Sequence, residues 1–84
     1  MALQEYGSTI ERPRILLVTT RDYEPGRFAV WALKKRKIRF ERYYALSGPE
    51  CLSIRVTYGD PDYSPTLVYK GLIGLNRFLE QHRG

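Results

Sequence analysis

Side chains able to carry covalent or metal chemistry are few in this 84-residue chain: it has one cysteine, Cys51, and one histidine, His82. One of each cannot complete a protein zinc site, which takes several such ligands around one ion. The turn signature Asp60-Pro61-Asp62 offers too few oxygen ligands for calcium, so no metal and no cofactor is expected. A lone cysteine also excludes an internal disulfide framework, which agrees with a reducing compartment. Cys51 reads as an inert, core-facing thiol, because unpaired cysteines are among the most buried residues. His82 reads as a packing or capping residue.

Charge is more informative. The chain has 14 basic and 9 acidic residues, a net charge of +5. Lys34-Lys35-Arg36-Lys37 forms one block, with Arg39 and Arg42 just beyond. At the end of a helix these cations would face the negative end of its dipole. The alternative is a nucleic-acid contact, which wants a wider basic face and an aromatic or recognition-helix signature that this chain lacks. A second constellation is Arg21, Tyr23, Glu24, Pro25, Gly26 and Arg27. Glu24 ahead of a helix is a dipole partner or cap. The same helix start with two arginines could hold a phosphate or carboxylate, which Glu24 would oppose.

The elements that must position these groups follow from pattern. Residues 1–13 read as a loose leader and residues 14–84 as one domain, the N-terminal stretch having no apolar run of the signal-peptide kind. Arg14 to Thr20, with Ile15-Leu16-Leu17-Val18 at its centre, reads as a strand buried on both faces. Pro25 suits a first helical turn, and Phe28, Val30, Trp31, Ala32 and Leu33 make a broad apolar helix face, with Trp31 toward the core. Ile38 to Ala45 alternates with charges on both sides, as an edge strand does. Strand, helix and strand in about thirty residues make a crossover unit with parallel strands.

The stretch after it carries conflicting signals. Ser47 and Glu50 have capping-box spacing, Pro49 suits a first turn, and Gly59 could close a helix. Against this, Leu52, Ile54, Val56 and Tyr58 alternate with Ser53, Arg55 and Thr57, a strand pattern. The expectation taken is a helix. Thr66 to Lys70 reads as a strand, Lys70-Gly71 as a tight turn, and Leu72-Ile73 as a stub of returning strand. Leu75, Phe78, Leu79 and His82 then share one helical face.

The resulting order, β-α-β-α-β-β-α, resembles the glutaredoxins and the wider thioredoxin-like families. Three segments carry the resemblance: Val18-Thr19-Thr20-Arg21 leading to Pro25 and a helix; Tyr58-Gly59 followed by Ser64-Pro65-Thr66-Leu67-Val68; and Lys70-Gly71-Leu72-Ile73-Gly74-Leu75 followed by a helix with Phe78 and Leu79. The resemblance implies a four-stranded mixed sheet flanked by helices. It also implies that Ser64-Pro65 is a cis-proline segment standing beside the loop before the first helix. Where the family has Cys-Pro-x-Cys or Cys-Pro-x-Ser, this chain has Glu24-Pro25-Gly26-Arg27. A glutamate cannot attack a disulfide, and the family's chemistry needs a thiolate at that helix start. The resemblance therefore implies the fold without the activity.

Three functions follow as expectations. The first is a non-catalytic domain that binds a protein or peptide partner through Arg21, Tyr23, Glu24, Pro25, Gly26, Arg27, Tyr63, Ser64 and Pro65, by strand addition or aromatic–arginine contacts. The second is glutathione-linked or thiol redox chemistry through Cys51. The third is nucleic-acid binding through the basic block, with a steep salt dependence. The longest apolar run, Ile15 to Val18, is too short to cross a bilayer, so a soluble, cytoplasmic protein with no membrane partner is expected.

Overall fold

A computed structural model describes residues 13–59 and 65–82. Its elements are β1 (Arg14–Thr20), α1 (Glu24–Lys35), β2 (Glu41–Ala45), β3 (Leu52–Thr57), β4 (Thr66–Lys70) and α2 (Gly71–Gln81). The strands form one mixed sheet in the order β2-β1-β3-β4. β1 and β2 are parallel, β3 is antiparallel to β1, and β4 is antiparallel to β3.

Strand period decides which residues enter the core. Ile15, Leu17 and Thr19 of β1 and Leu52, Ile54 and Val56 of β3 are buried. All but Thr19 meet Ala29 and Leu33 of α1 and Leu75 and Phe78 of α2 in one cluster. Both helices therefore cover the same face of the sheet. The alternate residues, including Leu16, Val18, Ser53 and Arg55, point to the other face, which carries no helix among the described residues, so β1 is a strand as expected but is buried on one face, not on both. Arg14 and Glu41 lie on that bare face, 3.6 Å apart and mostly exposed, a pairing that contributes little.

Three further expectations are corrected. The stretch from Ser47 to Gly59 is not a helix: its core is β3, the strand between β1 and β4. One face of Leu52, Ile54 and Val56 fills the core, and ladder bonds on both sides outweigh the local capping signals. Ser47 to Glu50 instead form an exposed bend, with Gly48 at φ +93°. Lys70-Gly71 is not a hairpin turn, and Leu72-Ile73 is not a returning strand. The chain passes from β4 directly into α2 through Gly71, whose φ of +67° is open to glycine. The element order is thus β-α-β-β-β-α, a four-stranded mixed sheet whose third strand comes from the stretch expected to be helical.

The third correction concerns Trp31, which is 54% exposed, with Phe28 beside it at 47%. The buried stripe of α1 is Gly26, Ala29, Ala32 and Leu33, spaced i, i+3, i+6 and i+7. Phe28 and Trp31 fall outside it. At the far end of α1, Lys34 and Lys35 occupy the last turn, as the dipole argument requires. The helix closes in a Schellman arrangement: the Ile38 N–H donates to Leu33 O and the Lys37 N–H to Lys34 O, each at 3.0 Å. Lys37 takes the left-handed position, at φ +58°, that glycine usually fills.

A cleft at the carboxyl end of the parallel strands

In a sheet with parallel strands, the crevice beyond their carboxyl ends is where loops and helix starts converge. Here β1 ends at Thr20, a short turn through Arg21, Asp22 and Tyr23 leads into α1, and β2 runs alongside. Asp22 adopts φ +58°, a left-handed turn that aspartate tolerates better than most residues. Between these elements lies an open cleft of about 270 Å³.

Its lining is built by register. The pairing Leu17↔Arg42 and Thr19↔Tyr44 puts Arg42 and Tyr44 on the helix-covered side of the sheet, facing the start of α1. Arg21 stacks over Tyr44, with its guanidinium carbon 4.8 Å from the ring centroid. The Arg42 guanidinium donates to the Tyr44 hydroxyl at 3.3 Å. Arg27 joins them from the first turn of α1, and Tyr23, Val30 and Gly26 also line the cleft. Among the described residues, three guanidiniums thus face one space against a single lining carboxylate, Asp22. Among the described residues none of the three is in a salt bridge.

Gly26 permits the cleft to be this tight. A Cβ on Gly26 would stand 2.0 Å from Thr19 Oγ1 and 2.9 Å from Thr19 Cβ, so α1 can lie this close to β1 only without a side chain there. Tyr23 precedes the helix in extended backbone and makes no side-chain capping bond. It packs against the core. Glu24 is the acid of the first turn, where it favours the positive end of the dipole. It forms no ion pair with Arg21 or Arg27.

Of the residues singled out from sequence, Arg21, Tyr23, Gly26 and Arg27 come together in the cleft, with Glu24 and Pro25 at its rim in the first turn of α1. Tyr63 and Ser64, and with them the Ser64–Pro65 bond, lie outside the described residues. Pro65 does not join the cleft. It precedes Thr66, which pairs with Thr57, and Thr57 pairs with Arg14 at the opposite end of β1. A seven-residue strand separates the two ends by roughly 20 Å at strand rise. The expected lip shared by residues 24 and 65 does not form, because making 52–57 a strand reverses the direction in which the chain reaches Pro65.

Cys51 moves the other way. It was expected as a core-facing thiol in a helix, yet it lies beside the carboxyl end of β1. The Cys51 N–H donates to Thr20 Oγ1 at 2.8 Å, and the Thr20 N–H donates to Cys51 O at 3.1 Å. The Thr20 hydroxyl is 3.7 Å from the Cys51 sulfur. The thiol is half-buried, not sealed in the core. Arg42, noted from sequence only beside the basic block, and Tyr44 were missed as site residues, because it is the register of β2 against β1 that brings them into the cleft. Among the described residues no group of three His, Cys, Asp or Glu side chains gathers as a metal site. Comparison with known proteins gave no match to any protein family, to any curated protein or to any solved structure.

Proposed function

We propose that the chain is a non-catalytic domain of thioredoxin-like type that holds an acidic protein or peptide segment in the cleft between β1, α1 and β2. The observation that carries this reading is the convergence of Arg21, Arg27 and Arg42 on one open space with Tyr23 and Tyr44. Arginine presents a planar fork that suits carboxylates, and tyrosine adds apolar contact at low entropic cost. The parallel β1–α1–β2 unit, the antiparallel β3 and β4, and the closing α2 support the fold assignment. The Pro65 half of the expected surface is set aside, since it sits at the other end of the sheet. The test is a chemical-shift titration of the labelled protein with an acidic peptide, repeated with its lysine-substituted counterpart. Amides of residues 19–27 and 42–44 should shift with the acidic peptide only, and Arg21→Glu with Arg42→Glu should abolish the response. Shifts confined to other segments, or equal shifts with both peptides, would overturn it.

A second reading rests on Cys51. A half-buried thiol held against Thr20 stands at the same end of the sheet as Arg21, and electropositive, partly accessible settings are where cysteines react. This is the glutathione-linked or thiol redox alternative. It requires exchange with a low-molecular-weight disulfide that disappears in Cys51→Ala.

A further inference from the structure

The outer surface of α1 has a composition that neither the core nor the cleft accounts for. From Pro25 to Phe40 the chain carries Arg27, Lys34, Lys35, Arg36, Lys37 and Arg39 and no acidic residue. Helical spacing brings Phe28, Trp31, Lys34 and Lys35 onto one face, and all four are exposed. The Phe28 and Trp31 rings lie 5.7 Å apart, centroid to centroid. Lys35 Nζ stands 4.8 Å above the Trp31 ring. Across a shallow groove, Asn76 and Leu79 of α2 extend the surface, and Leu72, also exposed, shares their side of that helix.

We propose that this face docks onto an anionic phospholipid surface. An indole and a phenyl ring beside lysines are the side chains that settle at the headgroup boundary, rings inward and ammonium groups toward phosphate. The surrounding cations supply the attraction to an acidic leaflet. A second copy of the chain is a poor occupant, because the same cations would oppose one another. Among the described residues, Asn76 is the one neutral polar side chain in the groove, so little there would fix the register of a folded protein partner. No described helix is long and apolar enough to cross a membrane, and the contact is peripheral. It uses a different face from the cleft, and its failure would leave the arginine site untouched.

Trp31 is the only tryptophan in the chain and reports on its own surroundings. The experiment mixes the intact protein with vesicles of phosphatidylcholine, with or without about 30% phosphatidylserine, at roughly 0.1 M salt, where screening is moderate. The expected result is a blue shift of Trp31 emission and co-sedimentation with the anionic vesicles alone, both reversed at about 0.5 M salt. Phe28→Ser and the double change Lys34→Glu, Lys35→Glu should each lower partitioning about tenfold or more. Arg55→Glu, on the bare face of the sheet, should change it less than about twofold by the same reasoning. All these positions are exposed, and far-UV circular dichroism checks that the variants fold. Absence of a shift, equal binding to neutral vesicles, or full binding by the charge-reversed protein overturns the proposal. So does a shift produced by a mixed-sequence oligonucleotide or an acidic peptide and not by vesicles.

Discussion

Replacing Gly26 with alanine sets two effects of opposite sign against each other at one position. Gly26 lies inside α1, where alanine is favoured over glycine by about 1 kcal/mol. The new methyl group, however, would stand 2.0 Å from Thr19 Oγ1, 2.9 Å from Thr19 Cβ and 3.1 Å from Thr19 Cγ2. Rotating the Thr19 side chain moves Oγ1 and Cγ2 but not Cβ. Thr19 is only 3% exposed and has no solvent to swing into. Relief must come from lifting α1 off β1, and overpacking of this kind costs about 1–3 kcal/mol. With so short a nearest contact the upper part of that range applies, and steric cost outweighs propensity. Gly26→Ala should lose a net ~1–2 kcal/mol. For a domain of this size that lowers Tm by about 5–15 °C.

The assay is urea unfolding followed by far-UV circular dichroism, with the slope m required to stay constant. A double-mutant cycle sharpens it. In a Thr19→Ala background two of the three contacts vanish and the one at 2.9 Å remains, so the cost of Gly26→Ala should shrink by about 1 kcal/mol, the coupling expected of touching residues. Two outcomes refute the argument: Gly26→Ala more stable than the parent, or an equal loss in both backgrounds.

Two further predictions concern stability. Lys37 holds the left-handed position after α1 at φ +58° with its backbone bonds already made. Lys37→Gly removes that strain, offset by the greater freedom of glycine in the unfolded chain, and should raise stability by about 0.5–1 kcal/mol in the same urea assay. His82 stacks on Phe78 with ring centroids 4.4 Å apart and has Nε2 3.0 Å from the Tyr58 hydroxyl. Burial holds its imidazole below the ordinary value of 6.5. The unfolded chain then takes up the proton first, so this contribution is present above pH 6.5 and is lost as pH falls through the depressed folded value. Thermal melts from pH 8 to 5 should show that decline, reduced in His82→Gln, and the imidazole NMR titration should have its midpoint below 6.5. Tyr58 mirrors it: burial first, and the nearby Tyr69, raise its hydroxyl above 10, so its contribution holds below pH 10 and is lost above it.

Periodicity identified the elements whose neighbours are supplied locally. β1 was readable from Ile15-Leu16-Leu17-Val18, α1 from Pro25 and the basic last turn, and β4 from Thr66 to Lys70. The parallel pairing of β1 and β2, with β2 at the edge, followed from strand, helix and strand in close succession. β3 was misread because the signals in favour of a helix, Ser47, Pro49 and Glu50, are local. Its ladder partners, β1 on one side and β4 on the other, lie far away in the chain and do not show in a short window. The start of α2 was obscured for a related reason. Gly71 carries the punctuation of a turn, and only the burial of Gly74, Leu75 and Phe78 shows that the chain coils at once. Half of the cleft was legible, through Arg21, Tyr23, Gly26 and Arg27. Arg42 and Tyr44 depend on inter-strand register, which pattern alone does not provide, and Pro65 was misassigned once the direction of the intervening strand was wrong.

Among the described residues, the sheet is dressed on one side only. Their buried hydrophobic cluster is a single layer, pressed between β1 and β3 on one side and the two helices on the other. No second layer among the described residues holds the sheet together should either helix lift away. Loss of α1 or α2 should therefore uncover β1 and β3 together, and thermal and denaturant unfolding should each follow a single cooperative transition.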